Sequence, residues 1–201
     1  NDAGGAEGGA AFVSAGSIGS FFNCTVFQNN SNIGGAISTY GDLILINNTF
    51  INNSAATGNN IARNTGSSVT IANNIFSNVT GANAFFNAGP SWNNLGGNVH
   101  TFNPPAFVPT GGDMTNISQA TLGLQGTETI DGYGLKYFRI VQQTSPAVDN
   151  GVTPAALPQY DCRRAPRVIY GDNALLPDAG ASEFTPYRVT GVISPDDFES
   201  V

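Results

Sequence analysis

The chain has 201 residues, which is enough for one domain with its own hydrophobic core. Only 10% of the residues are charged and the formal net charge is −7. This composition argues against binding to nucleic acids or anionic membranes, because both depend on clusters of Lys and Arg. No segment approaches the ~20 apolar residues of a membrane span. The chain begins with Asn1 rather than Met, so we interpret it as a processed chain whose targeting segment has been removed.

A repeat of about two dozen residues runs through the first 80 residues. The segments EGGAAFV, IGGAIST and TGNNIAR place the first residue of a Gly-x pair at positions 8, 34 and 58. The segments CTVFQNNS, NNTFINNS and NNIFSNVT place a phenylalanine at positions 27, 50 and 76. Two independent landmarks thus share one period, and a period of roughly 20 to 50 residues is typical of solenoids and propellers.

Each period contains short β-prone segments separated by Gly, Asn, Ser and Thr, without helical spacing of apolar residues. A propeller blade needs about 40 residues, whereas this period suits one coil with three short strands. The sequence therefore predicts an all-β fold, a right-handed parallel β-helix (solenoid) of about three to four coils. The coils occupy residues 1–80. Residues 81–201 form the irregular last coils and a β-rich C-terminal capping region of the same structural domain.

Stacked coils bring equivalent residues of successive repeats together at a spacing of about 4.8 Å. We therefore expect Phe27, Phe50 and Phe76 to form a column inside the core. Asn also recurs in register, and its amides are expected to form hydrogen-bonded ladders along the axis. The alternative is that these Asn residues serve only as ordinary turn residues.

The repeats and the C-terminal part resemble known β-helix surface proteins. The pairing of GGAI with FxNN in residues 7–80 resembles the repeats of polymorphic outer-membrane proteins. Residues 92–184 resemble the C-terminal part of secreted choice-of-anchor Q proteins, through NLGG, LGL, SPAVDNG, DCRRAPR and DAGASEF in that order. The resemblance implies a right-handed β-helix at the cell surface. In YDCRRAPR, Cys and Arg replace the more usual Gly, which weakens the prediction of a tight turn there.

The C-terminal part supplies most of the charged residues. Three arginines lie close in sequence to three aspartates, and we expect ion pairs among them. These residues are Arg163, Arg164, Arg167, Asp161, Asp172 and Asp178.

Metal and disulfide signals are weak. Asp149, Asp161 and Asp178 are weak calcium candidates, because Ca²⁺ takes about six to eight oxygen ligands and no EF-hand or nonapeptide calcium-loop spacing is present. No other cofactor is predicted. Cys24 and Cys162 are interpreted as two buried side chains, with a bridge between them as the alternative.

The repeats contain few groups that could carry catalysis. Many β-helix proteins cleave polysaccharides, and hydrolysis of a glycosidic bond needs two carboxylates that flank it. Residues 8–112 contain only two formally charged side chains, Asp42 and Arg63. His100, the single histidine, has no acidic neighbour in sequence, so a structural role is favoured over that of a general base. No catalytic triad, P-loop or dinucleotide motif is present, and we predict a non-enzyme.

The N-terminal end of the solenoid suggests self-association. The first repeat begins within eight residues of Asn1, with no capping helix before it. Because an uncapped coil presents unpaired backbone groups, we expect either preceding protein or a second subunit bound head to tail. The C-terminal β-prone run YRVTGVI either packs on its own subunit or adds a strand to a neighbour.

Six Asn-x-Ser/Thr triplets are candidate glycosylation sites, although such triplets arise by chance in an Asn- and Thr-rich chain. They begin at Asn23, Asn29, Asn47, Asn52, Asn78 and Asn116. Asn29 and Asn52, in the turn after the phenylalanine, are the two that we expect to be exposed.

Together these features favour a non-catalytic extracellular structural or adhesive protein that forms homo-oligomers or head-to-tail polymers, as a surface layer, an adhesin or a filament subunit. Glycans are further candidate partners. The alternative is a β-helix protein that binds or degrades polysaccharides.

Overall fold

The chain forms a parallel β-solenoid with almost no helix, which confirms the predicted fold class. The computed structural model describes residues 6–77, 84–88, 92–104, 108–130, 134–155, 157–167 and 176–184. Within these residues the chain passes through three parallel sheets, and each sheet has four strands. The solenoid therefore makes about three full turns.

The three sheets run side by side along the axis. The first contains β1 (Ala11–Val13), β5 (Ile37–Thr39), β9 (Ile61–Arg63) and β12 (Phe85–Asn87). The second contains β2 (Ile18–Phe22), β6 (Asp42–Ile46), β10 (Val69–Ala72) and β13 (Asn93–Asn94). The third contains β3 (Thr25–Phe27), β7 (Thr49–Ile51), β11 (Ile75–Ser77) and β14 (Val99–His100). We call β1–β3 the first coil, β5–β7 the second, β9–β11 the third and β12–β14 the fourth.

Short elements complete the fold. A corner of the solenoid pairs β4 (Asn30–Ile33) with β8 (Ser54–Thr57) in parallel. In the C-terminal part, α1 is Gln119–Leu122, and β15 (Thr129–Ile130) pairs antiparallel with β16 (Lys136–Tyr137). The predicted boundary between coils and irregular part, at residue 80, lies outside the described residues. The fourth coil follows it and retains the strand pairing of the first three.

The strand residues alternate between the core and the outer face, as the pleat of a β-strand requires. In β6, Leu43 and Leu45 are buried in the main core cluster, whereas Asp42 is exposed. Leu43 lies opposite Val69, and Leu45 lies opposite Ile71. The apolar residues of one coil therefore contact those of the next, and the core is a continuous column along the axis.

The Gly-Gly-Ala motif forms the tight corner between β4 and β5. Gly34 has a positive φ of 64°, which glycine adopts without the steric cost that a Cβ atom brings. A Cβ atom at Gly35 would lie 2.2 Å from the backbone oxygen of Asn59 in the next coil. The glycines of this motif are thus needed both for the turn and for the close approach of two coils.

An aromatic column fills the core beneath the third sheet, but its membership differs from the prediction. The Phe50 and Phe76 rings stack with centroids 5.0 Å apart and planes 12° apart. The His100 ring stacks on Phe76 in the same way, at 5.1 Å and 12°. The prediction was correct for Phe50 and Phe76, and His100 continues the column in the fourth coil.

The prediction for Phe27 was wrong. In the register of β3 against β7, Val26 lies opposite Phe50, and Phe27 lies opposite Ile51. Because successive side chains of a strand point to opposite faces, this offset of one residue directs Phe27 away from the column. Its ring instead contacts Phe138 of the C-terminal part edge-on, with the centroids 5.4 Å apart.

A ladder of asparagine amides runs along the axis inside the turn between the second and third sheets, as predicted. Asn48 Nδ2 donates to Asn74 Oδ1 at 3.0 Å, and Asn74 Nδ2 donates to Asn98 Oδ1 at 3.0 Å. Each Oδ1 also accepts a backbone N–H from the preceding coil, such as that of Asn48 on Asn74 at 3.0 Å. These bonds satisfy buried backbone donors that the strands leave unpaired in the turn.

The ladder ends in two different side chains. At the N-terminal end, the Cys24 backbone N–H donates to Asn48 Oδ1 at 2.9 Å, and the thiol has no amide with which to extend the ladder. At the other end, Asn98 Nδ2 donates to the Asp113 carboxylate at 3.0 Å. An acceptor without amide hydrogens therefore terminates the series, since a carboxylate can accept these bonds but cannot pass one on.

The turn in YDCRRAPR is present, although the departure from the family pattern weakened that prediction. The Asp161 N–H donates to the Ala165 carbonyl at 2.7 Å, and Tyr160 pairs with Pro166. Arg164 supplies the positive φ, 68°, that a glycine would otherwise supply. The Asp161 carboxylate accepts the N–H groups of Arg163 and Ala165, and these bonds offset the conformational cost of the turn.

Replacing the central ring of the aromatic column should destabilise the protein strongly. We expect Phe76→Ala to lower the free energy of unfolding by about 3–5 kcal/mol, because it leaves a cavity between Phe50 and His100. The matched control Phe12→Ala, at a ring that is 53% exposed, should cost less than about 1 kcal/mol. Urea denaturation followed by circular dichroism measures both. Equal losses would contradict the column.

The amide ladder should contribute to stability through groups that no other partner can satisfy. We expect Asn74→Ala to cost about 2–4 kcal/mol, because the buried N–H of Asn48 and the Asn98 amide oxygen each lose a partner. Asn93→Ala removes an exposed amide from the outer face of β13 and should change the free energy of unfolding by less than about 1 kcal/mol. The same denaturation experiment compares the two variants, and a stable Asn74→Ala would argue against the ladder.

Candidate functional site

The first coil presents one free backbone edge from each of the three sheets. In the part of the chain that the structure describes, β1, β2 and β3 pair only with β5, β6 and β7 of the second coil. Among the described residues, no strand pairs with the opposite edges of these three strands. We call these edges, residues 11–13, 18–22 and 25–27, the first-coil edge.

Inward-facing residues of the first coil are less well covered than their equivalents further along. Ala11 and Phe21 are partly exposed, whereas the residues that lie opposite them, Ile37 and Leu45, are fully buried. The outward-facing Ile18 is 70% exposed. The first-coil edge therefore combines unpaired backbone groups with apolar surface.

A cavity opens beside the third strand of this coil. It encloses about 390 Å³ and is lined by Ala10 and residues 25–29. Val26, which starts the column continued by Phe50, is among these lining residues. The end of the core column therefore borders a depression at the end of the solenoid.

The other end of the solenoid has similar geometry in the second sheet. Among the described residues, β13 pairs only with β10. The third sheet differs, because Val99 of β14 also forms a parallel bridge with Met114. Within the described residues, the second sheet thus has an edge without a strand partner at both ends of the coil stack.

The C-terminal part lies along the side of the solenoid and is fastened to its turns. Asn23, Asn47 and Asn73 occupy equivalent turn positions, with φ between 54° and 55°. Their side-chain amides donate to the backbone oxygens of Tyr160 at 2.6 Å, Asp178 at 3.0 Å and Val152 at 2.8 Å, respectively. Three successive coils therefore hold three separate C-terminal segments.

Two ion pairs lie within the C-terminal part, and one of them contacts the solenoid. Arg163 pairs with Asp161 at 2.7 Å, as predicted, and its guanidinium also donates to the backbone oxygen of Glu183. Arg167 pairs with Glu183 at 2.5 Å and donates to Asn23 Oδ1 on the solenoid. The predicted pairing among Arg and Asp residues was therefore correct for Arg163, whereas Arg167 pairs with Glu183. Asp172 lies outside the described residues.

The ion pair of Arg167 lies beside a second buried carboxylate. Burial, and next the charge of Asp178, raise the pKa of Glu183 to about 8. The Arg167 guanidinium and the N–H of Asp178, which donates to Glu183 Oε2 at 3.0 Å, act in the opposite direction. Glu183 therefore retains its proton to higher pH than an exposed glutamate.

The residues weighed for catalysis lie in three different sheets. His100 is fully buried in the aromatic column, and burial lowers its pKa to about 3, so the ring is neutral. Arg63 lies in β9 and donates from Nη1 to Asn87 Oδ1 at 2.6 Å. Asp42 begins β6 and accepts the Ser68 hydroxyl at 2.6 Å. The structure does not assemble these three residues into one site.

The three calcium candidates do not form a ligand cluster. Asp161 accepts backbone N–H groups and pairs with Arg163. Asp178 accepts the N–H groups of Asp149 and Phe184. Among the residues with described positions, no group of three or more acidic, His or Cys side chains is arranged to hold a metal ion. Backbone donors already engage the carboxylates of Asp161 and Asp178.

Two of the glycosylation candidates are buried, and for Asn29 this corrects the predicted exposure. Asn29 Nδ2 donates to Asn53 Oδ1 at 2.9 Å, and Asn47 Nδ2 donates to the Asp178 oxygen. Asn52 and Asn116 are exposed. N-glycosylation needs a side-chain amide that is accessible at the surface, and these two residues provide one.

The remaining sequence candidates have mixed outcomes. Asn23 is partly exposed, but its amide holds the Tyr160 oxygen. Asn78 lies outside the described residues. Cys24 and Cys162 are both free thiols, and burial raises the pKa of both, that of Cys162 to about 12. The alternative of a bridge between them is not realised in this structure.

Comparisons with known proteins identify no relative of this chain. No family model, curated protein or solved structure matches it. The resemblance to polymorphic outer-membrane and choice-of-anchor Q proteins therefore stays a prediction. Among the residues with described positions, no helix is both long and apolar enough to cross a membrane.

The protonation of Glu183 should make the stability of the attachment pH-dependent. Because its pKa in the folded protein lies above the ordinary value of 4.5, the folded state binds this proton more tightly than the unfolded state does. The resulting stabilisation is complete below about pH 4.5 and is lost as the pH rises through about 8. We therefore expect the free energy of unfolding of the wild-type protein to fall as the pH rises through about 8. Glu183→Gln should remove this fall.

Chemical denaturation at a series of pH values measures the difference between wild type and variant. Glu128→Gln is the matched control, because Glu128 forms a partly exposed pair with Lys136 and should leave the slope almost unchanged. A Glu183→Gln protein with the same pH slope as wild type would show that Glu183 is ionised throughout.

Proposed function

We propose that this chain is a non-catalytic extracellular structural or adhesive protein whose copies associate head to tail through the first-coil edge. The single observation that carries the proposal is that all three strands of the first coil lack a partner on one side among the described residues. An unpaired strand edge is a template for another strand. The three unpaired edges belong to all three sheets of one coil. A further coil can therefore pair with all of them at once.

A second copy is the occupant whose shape fits this edge. Among the described residues, the outer edge of β13 has no strand partner, and β13 belongs to the second sheet, as β2 does. The fourth coil of one copy can therefore continue this sheet into the next copy with the parallel pairing that already joins its own coils. Such an interface is heterologous and extends into a filament unless the rotation closes a ring.

The distribution of charge supports a structural role over an enzymatic one. All three ion pairs in the described residues belong to the C-terminal part. One of them involves the buried Arg167, which also contacts Asn23 on the solenoid. The outer faces of the coils are rich in uncharged polar residues. A polysaccharide-degrading enzyme is the less supported alternative, because the candidates His100, Asp42 and Arg63 lie in separate sheets.

The strand edge can be blocked without changing the interior of the coil. The N–H of Asn23 donates to Ile46, and that of Asp42 donates to Ser17. Because N–H groups alternate in direction along a strand, the N–H of Ser20 points away from β6. Proline is tolerated at an edge where its missing N–H faces solvent. Ser20→Pro therefore removes a donor from the first-coil edge alone.

We expect wild-type protein to form concentration-dependent oligomers by sedimentation velocity and elongated particles by electron microscopy. Ser20→Pro should keep the β-rich circular dichroism spectrum but sediment as a monomer. Ser20→Ala, which retains the N–H, should assemble like wild type. Ile44→Pro, at the paired position of the second coil, should unfold the protein. A monomeric wild type, or assembly that Ser20→Pro leaves intact, would refute head-to-tail pairing at this edge.

A further inference from the structure

A second concave site lies between the solenoid and the C-terminal part. It encloses about 220 Å³, which is below the ~300 Å³ of pockets for drug-sized ligands. Its polar lining comprises Gln28, Asn52, Ser77, Gln119 and Gln125. Its apolar lining includes Ile51, Leu124 and Phe138. We call this cavity the side groove.

The solenoid wall of the side groove presents two amides from successive coils. The Gln28 N–H donates to the Ile51 oxygen and the Asn52 N–H donates to the Ser77 oxygen, each at 3.0 Å. These equivalent bonds place Gln28 and Asn52 at the same position of the first and second coils. Within the described part of the chain, neither side-chain amide has a hydrogen-bond partner. Both can therefore donate to and accept from a ligand.

The opposite wall presents amide donors. Gln119 Oε1 accepts the Ser77 hydroxyl at 2.8 Å, and Gln125 Oε1 accepts the Thr129 hydroxyl at 2.7 Å. Each amide is thus held by its oxygen. The NH₂ groups of Gln119 and Gln125 have no protein acceptor among the described residues, so they are available as hydrogen-bond donors.

We infer that the side groove binds one unit of a neutral carbohydrate. No charged side chain is among the lining residues, and a charged ligand would lose its hydration without gaining a counter-charge. A purely apolar ligand would leave the amides unsatisfied at a cost of about 1–3 kcal/mol each. A sugar ring has many hydroxyl groups that donate and accept, and its C–H faces suit Phe138 and Leu124.

The backbone of Gln28 gives a second reason to assign a ligand. Gln28 has φ of 52°, and its equivalent Asn52 has φ of 50°. Asn adopts this conformation readily, whereas a longer side chain pays a cost of about 1–2 kcal/mol. Strain of this kind persists at functional sites when the side chain is needed. The longer amide at position 28 reaches further over the groove than asparagine would.

The inference rests on the adhesive part of the proposed function and is independent of head-to-tail assembly. Gln28 lines both the side groove and the depression beside the first-coil edge, whereas Gln125 lines the side groove alone. Ser20→Pro should therefore abolish assembly and retain sugar binding, and Gln125→Ala should weaken sugar binding and retain assembly. Failure of one proposal is thus distinguishable from failure of the other.

The test is ligand-observed NMR with the full chain produced in a bacterial host, so that Asn52 carries no glycan. The probes are glucose, galactose, mannose and N-acetylglucosamine and their disaccharides, with glucuronate and galacturonate as charged comparators. We expect at least one neutral probe to bind and both uronates to bind at least tenfold more weakly. No binding by any neutral probe, or preferred binding of uronates, would overturn the inference.

Gln28→Gly separates a binding role from a structural one. Glycine relieves the backbone strain at φ of 52°, so we expect a higher denaturation midpoint. It also removes the side-chain amide, so we expect about fivefold weaker sugar binding. This factor corresponds to the loss of one net hydrogen bond of about 1 kcal/mol. Gln143→Ala, at an exposed glutamine outside the groove, should change neither. Unchanged affinity in Gln28→Gly would refute the assignment of this residue to the site.

Discussion

The structure depends on parallel pairing in register between coils of nearly equal length. Each strand lies beside its own equivalent from the preceding repeat, so a favourable choice of residue at one position is repeated along the axis. The stacked rings of Phe50 and Phe76, and the buried series Leu43–Val69 and Leu45–Ile71, follow from this one constraint. The same constraint leaves backbone donors and acceptors unpaired wherever the stack ends.

The repeated Asn-Asn pair connects the inside of the solenoid to its outside. In Asn47-Asn48 and Asn73-Asn74, the first residue has a positive φ and directs its amide to the C-terminal part. The second directs its amide into the ladder. Two adjacent amides thus bind two different neighbours, because the left-handed turn rotates them apart. A chain with few charges thereby obtains specific polar contacts from neutral side chains, which can be buried at far lower cost than ions.

The few buried charges are concentrated where the chain lacks a repeat. The C-terminal segments have irregular backbone, and the carboxylates of Asp161 and Asp178 accept N–H groups that no strand partner satisfies. Arg167 then neutralises part of this negative charge and contacts Asn23 on the first coil. These interactions hold the C-terminal part against the flank of the coils, while the first-coil edge and the side groove remain accessible for the self-association and sugar binding that we propose.

The sequence by itself determined the coil architecture, because a period of two dozen residues and the spacing of Gly and Phe are local properties that every coil repeats. The repeat spacing also extends into the fourth coil. Gly97, Asn98 and His100 follow Asn73, Asn74 and Phe76 at the same interval. Only the tertiary structure decided the register of Phe27, since an offset of one residue alters the face but hardly alters the pattern. Three further features depend on contacts between distant parts of the chain. They are the burial of Asn29, the pairing of Arg167 with Glu183 and the walls of the side groove. No period relates those parts, so their proximity follows from packing and not from the repeat.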